Sequence, residues 1–195
     1  MAAKKILLFV EGEPNSPNGD LRKGLIDLLQ KQLKGQLPKI IIGGGYSQGG
    51  KTQTVHKFKT NKLNADIALV LVDLDKPENE RENDLKELEL LDVKDNVFYM
   101  IQEMESWFLS QPDVLDKFYG VDKNKKQVSD KIPKKKPADI EHPDEVLKRI
   151  TENSQKGEYH KIKHAVELLK LLDADKLAND FIDFKNLIEK IKSCV

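Results

Sequence analysis

The sequence predicts an α/β fold, on three observations. Four short apolar runs, at residues 5–10, 39–42, 66–72 and 96–101, are bounded by turn residues. Runs of this length, rich in Ile, Val and Leu, read as strands of a parallel sheet buried on both faces. Stretches with helical spacing lie between them, beginning with Leu21, Leu25, Leu28, Leu29 and Leu33 on one face. Strand and helix then alternate through about residue 120, the pattern of a mostly parallel sheet flanked by helices.

Each element follows in order. Residues 5–10 form the first strand, and the Pro/Asn/Gly/Ser stretch 13–19 forms a loop. Asp20 is an N-cap candidate for the first helix, which Gly35 and Pro38 stop. Residues 39–42 make a second strand and open into a glycine-rich stretch, with a helix expected over 54–63. The third strand, 66–72, runs into Asp73-Leu74-Asp75, and a helix is expected near 85–91. The fourth, 96–101, is followed by Glu103-Met104-Glu105-Ser106-Trp107-Phe108-Leu109, read as a helix start. Beyond about residue 120 the character changes. The lysine- and proline-marked stretch 123–137 reads as a basic linker, and helices are expected over 144–151, 159–172 and 181–192. The organisation is therefore an α/β unit over 1–120, then a basic linker and helical region over 121–195.

Bulk composition narrows the function classes. The 195 residues are 38% hydrophobic and 34% charged, with Lys+Arg and Asp+Glu both at 33. A net charge of zero gives no global attraction to nucleic acid, so any basic face is local. The single cysteine, Cys194, cannot form an intrachain disulfide, and a reducing cytoplasm fits. Neither a signal peptide nor a membrane span is expected. No Ser/His/Asp or Cys/His nucleophile arrangement stands out.

The acids at the strand ends carry the chemistry. In open α/β sheets, ligands bind outside the carboxyl ends of the strands. Glu11 follows the first strand, and Asp73 and Asp75 follow the third. Three carboxylates in one crevice repel one another unless a cation sits between them, and hard oxygen ligands suit Mg²⁺ or Mn²⁺. The blander alternative is that these acids cap helices or form turns. Glu105, after the fourth strand, is a further candidate for a ligand or water-orienting group; Glu103 is a weaker one. Trp107 and Phe108 read as core.

These motifs resemble the Toprim superfamily of topoisomerase, primase and nuclease catalytic domains. The resemblance rests on Val10-Glu11-Gly12 at one strand end and Asp73-Leu74-Asp75 at a later one, in the same order and context. Over the full length the chain also resembles a family of small Toprim-like bacterial proteins often encoded beside an ATPase, through residues 104–109, Tyr159-His160-Lys161 and residues 181–187. The resemblance implies a metal-dependent phosphodiester site, nucleic acid as substrate (DNA before RNA), an ATPase partner and a setting in defence against foreign DNA. It also points Lys161 toward the acidic site. The nuclease branch often has a second acid a few residues after its first glutamate; the chain departs from it in that Glu13 comes only two residues after Glu11, and Asn15 follows. A non-catalytic regulatory or nucleic-acid-binding subunit on this scaffold is the alternative, and a homo-oligomer stays open.

Two other patterns bear on phosphate. Residues 45–52 fit G-x-x-x-x-G-K-[ST], in which Gly50, Lys51 and Thr52 would hold a nucleotide. The interval from Thr52 to Asp73 is short for a P-loop domain, and this reading leaves Glu11 unexplained; Lys51 could instead contact a substrate phosphate. Lys134, Lys135 and Lys136, with Lys123, Lys125, Lys126 and Lys131, make a local basic patch that suits phosphate backbone or is a solvated linker. His160 and His164 share a helix face, but the glutamate of a metalloprotease helix is missing between them.

Overall fold

The computed structural model describes residues 5–12, 21–33, 37–42 and 50–194. Four strands, β1 (Ile6–Val10), β2 (Lys39–Ile42), β3 (Ile67–Asp73) and β4 (Val97–Met100), pair in the order β2-β1-β3-β4, all parallel. Leu8 stands opposite both Ile40 and Leu69, and Leu71 opposite Phe98.

The period of two sorts the strand residues between two cores. Ile6, Leu8 and Val10 of β1, Leu69 and Leu71 of β3, and Phe98 and Met100 of β4 enter the larger core. Leu7, Phe9, Ala68, Val70, Val72, Val97 and Tyr99 enter the smaller one on the other face. With both faces covered, the strands read as continuous apolar runs, not as alternating ones.

The helices are α1 (Leu21–Leu33), α2 (Gly50–Asn61), α3 (Arg81–Glu87), α4 (Glu105–Leu109), α5 (Pro112–Tyr119), α6 (Pro143–Thr151), α7 (Lys161–Leu171), α8 (Ala174–Asp180) and α9 (Ile182–Ser193). α1 buries Leu25, Leu28, Leu29 and Leu33 in the larger core, while α2 sends Val55 and Phe58 into the smaller one. The chain steps from β1 to β2 in one direction and then passes back over β1 to β3. Crossovers of one hand therefore place α1 and α2 on opposite faces. That reversal makes the tips of β1 and β3 the topological switch point, where open α/β sheets form their crevice.

The C-terminal helices belong to the same core as the sheet. α7 packs along α1, and α9 packs on β4. The α1–α7 approach is so close that a Cβ on Gly24 would sit 2.9 Å from the Val166 carbonyl oxygen and 3.0 Å from Leu169. The stretch expected as a basic linker is ordered surface instead. Val128 and Ile140 are buried in the larger core, and short 3₁₀ turns at Ser129–Lys131 and Pro137–Asp139 shape the chain between them. Two apolar anchors thus override the linker-like composition. Among the described residues no helix is long and apolar enough to cross a membrane.

Candidate active site

A cleft of about 220 Å³ opens at the strand tips, lined by Glu11, Asp73, Asp75, Glu103, Glu105, Asp144, Lys148, Tyr159 and Lys161. The fold places the four acids singled out from the sequence (Glu11, Asp73, Asp75 and Glu105) in this one cavity.

Asp73 is the last residue of β3 and is buried. Its Oδ1 accepts the Met104 N–H at 2.8 Å, while Oδ2 lies 3.8 Å from Lys161 Nζ. Burial pushes its carboxyl well up; Lys161 opposes the shift, and Glu11, Glu105 and Asp75 add to it. Glu11, one residue past β1, accepts the Asp73 N–H on Oε2 at 3.3 Å. Burial and then Asp75 raise its pKa, against the Asp73 N–H, Lys161 and Lys51. The first residue of α2 crowds this carboxylate: a Cβ on Gly50 would stand 2.7 Å from Glu11 Oε1, so glycine is what permits the approach. The α2 N-terminus favours negative charge there.

Asp75 turns back toward the neighbouring strand end. Its N–H donates to the Gln102 carbonyl at 2.6 Å, and both residues have φ near +58°. Left-handed backbone at two non-glycine residues is strain that clusters at functional sites. Glu105 is fully buried at the start of α4. Oε1 accepts the Tyr159 hydroxyl at 2.7 Å and lies 3.4 Å from Lys161 Nζ. Oε2 is buried with no hydrogen-bond partner among the described residues.

Lys161, the first residue of α7, supplies the cation that the crowded carboxylates require. Its side chain as a whole is 53% exposed, yet its ammonium end reaches both Asp73 and Glu105. Burial pulls its pKa down, but Asp73 and Glu105, then Glu103 and Glu11, outweigh that and hold it above the usual lysine value.

Glu103, Asp144 and Lys148 complete the rim. Glu103 Oε2 accepts the Asp144 N–H at 3.3 Å, and Lys148 Nζ lies 2.8 Å from Asp144 Oδ2. Burial first, then Asp144 and Glu105, push the Glu103 carboxyl up to about 7. Sequence reasoning missed Asp144, Lys148 and Tyr159. Asp144 and Lys148 form an i,i+4 pair like those on many exposed helices, and Tyr159 reads as a core residue on an apolar stripe.

The phosphate-binding candidates fall elsewhere. Gly50, Lys51 and Thr52 form the first turn of α2, but Lys51 is spent on protein oxygens: the Leu74 carbonyl at 2.9 Å, Asp75 Oδ2 at 2.9 Å and Asp84 Oδ1 at 3.3 Å. Residues 43–49 of the glycine-rich loop, and Glu13 and Asn15, lie outside the described residues. Lys134, Lys135 and Lys136 are exposed and do not line the cleft. Of the His160/His164 pair, only His164 joins an aromatic cluster, with Phe118, Tyr119 and Tyr159; its Nδ1 lies 3.0 Å from the Tyr119 hydroxyl and 3.2 Å from the donating His160 N–H.

The donor chemistry suits Mg²⁺ or Mn²⁺. The oxygens are hard carboxylates, and Glu105 Oε2 is a buried acceptor without a donor among the described residues. Among the described residues, however, no three acidic, histidine or cysteine side chains stand close enough together to hold an ion as they are.

No curated protein and no solved structure gives a match to this chain. A family model described as a domain of unknown function, DUF4276, matches residues 18–192, so the chain belongs to that family.

Proposed function

We propose that the protein is a Mg²⁺- or Mn²⁺-dependent nuclease or related phosphodiester-processing enzyme on a Toprim-like scaffold. The observation that carries this reading is the meeting of Glu11, Asp73, Asp75 and Glu105 at the strand tips, with one buried Glu105 oxygen left unpartnered among the described residues. Glu11, Asp73 and Asp75 would hold the ion, with Glu105 beside them. Bound there, the ion would neutralise charge developing on a phosphate. Lys161 and Lys148 would meet the phosphate oxygens at the cleft, and Tyr159 holds Glu105 in place through its hydroxyl. Nucleic acid as substrate (DNA before RNA), an ATPase partner, a role as effector of a bacterial defence pair and a cytoplasmic setting complete the proposal and rest on the resemblance. The matched family span begins after Glu11, so the role of that residue rests on its position in the cleft.

One observation favours a second reading. The Lys161 ammonium already balances Asp73 and Glu105, as it would in a non-catalytic subunit that keeps the scaffold without the chemistry.

Titration calorimetry of Mg²⁺ and Mn²⁺ into the wild type and the Asp73→Ala/Asp75→Ala variant, followed by plasmid cleavage with the same samples, decides between them. The enzyme reading expects binding and cleavage by the wild type and neither by the variant. Absence of binding at millimolar ion overturns it in favour of the scaffold subunit.

A further inference from the structure

A second charge network touches the cleft from behind. Asp84, on α3, is 3% exposed and lies outside the cavity. Its Oδ2 accepts the Tyr99 hydroxyl at 2.9 Å, and its Oδ1 lies 3.3 Å from Lys51 Nζ. The same ammonium donates to the Leu74 carbonyl and pairs with Asp75 Oδ2, both at 2.9 Å. Lys51 is thus divided between a carboxylate that faces the cleft and one that does not.

The carboxylate behind the cleft is itself held firmly. Tyr99 is fully buried, with the Arg81 guanidinium 5.3 Å from its ring centroid. Both Asp183 oxygens bind Arg81, at 2.7 and 2.8 Å, which ties α3 to α9. The Tyr99 hydroxyl is therefore fixed in place, and it orients Asp84. An ammonium shared by two carboxylates neutralises each less than it would one alone.

We propose that Asp84 is a positioning residue: held by Tyr99, it draws Lys51 toward α3 and so sets how much of that ammonium's charge falls on Asp75 at the cleft. The consequence for cation binding rests on the phosphodiester reading; the hold on Lys51 does not. With Asp84 neutral, Lys51 would pair with Asp75 alone and leave that carboxylate less available.

The test uses the nearly isosteric Asp84→Asn and, as a second variant, Tyr99→Phe. Lysine acetylation of the folded full chain, read by mass spectrometry, reports the hold on Lys51. Lys31, which donates to the Lys170 and Leu172 carbonyls, serves as internal reference. Loss of a charge-assisted bond should raise Lys51 labelling about tenfold relative to Lys31 in Asp84→Asn, with a smaller rise in Tyr99→Phe. Labelling of Lys51 that stays at the wild-type level, or rises only in step with Lys31, overturns the proposal. Mn²⁺ titration then supplies a readout that a merely structural role would not move: weaker binding in Asp84→Asn that disappears when Lys51→Met is already present. An equal loss in both backgrounds would mean that Asp84 acts only through its field, and overturns the proposal. If no variant and no wild type binds Mn²⁺, the phosphodiester reading fails, and the labelling alone decides the role of Asp84.

Discussion

Lys161 and Glu105 meet across the cleft, the ammonium 3.4 Å from an oxygen of a carboxylate that no solvent reaches. The lysine is both a structural counter-ion and the rival of any cation that enters. Lys161→Met should therefore lower the stability of the metal-free chain by about 1–3 kcal/mol, the cost of leaving buried carboxylates without their counter-ion. The same change should tighten Mn²⁺ binding. Thermal unfolding and calorimetry read the two effects, and unchanged or weaker ion binding would tell against the rivalry.

Stability should fall as pH rises through the weakly acid range. Glu103 titrates near 4.5 when unfolded and at about 7 in the folded chain. The folded chain therefore holds more protons between those values, and its stability is greatest below them and declines across the interval. Burial pushes Asp73 and Glu11 the same way. Unfolding midpoints taken through this range should drop with pH, and Glu103→Gln should flatten part of the slope. A flat wild-type profile would contradict the raised carboxyls.

Arg81→Met should be among the most destabilising changes outside the cleft. It strands Asp183, which is fully buried and bound by both guanidinium nitrogens. Breaking a buried pair from one side costs about 3–5 kcal/mol. Burial raises the Asp183 pKa against the pull of Arg81, so the loss should shrink in acid as the stranded carboxyl takes a proton. Urea denaturation at neutral and acid pH checks both points.

Gly24→Ala tests the seam that joins the C-terminal helices to the rest of the chain. The added methyl would meet the Val166 carbonyl oxygen at 2.9 Å and Leu169 at 3.0 Å. Overpacking of this kind costs about 1–3 kcal/mol, and α7 would have to shift along α1. Denaturant unfolding should show the loss; a neutral result would mean that the two helices separate freely.

The strands and their approximate ends were legible because each strand is a buried apolar run closed by an acid or a turn; their order in the sheet was not, because it is set by tertiary crossovers. The expected 39–42 became Lys39–Ile42, and the expected 66–72 became Ile67–Asp73. α5 and α8 were not anticipated. Each is a short helix of two turns or so, too brief for periodicity to register, although Asp173 caps α8 by accepting the Asp175 and Lys176 N–H groups. The acids of the site were legible from their places at strand tips. Lys148 and Asp144 were not, because nothing local to α6 shows that it reaches the rim of a cleft built by β1, β3 and β4. Asp84 and Tyr99 were hidden for the same reason: their meeting is a tertiary fact between α3 and a buried strand.

The position of Lys161 on α7 also has a consequence for the order in which the chain emerges from a ribosome. Glu11, Asp73, Asp75 and Glu105 are all synthesised before the lysine that balances them. A chain without α7 would leave those carboxylates without the Lys161 ammonium, and α1 without the partner that covers Gly24. The counter-ion of the cleft and the cover over Gly24 thus come from one late helix, so α7 completes the cleft and the core together.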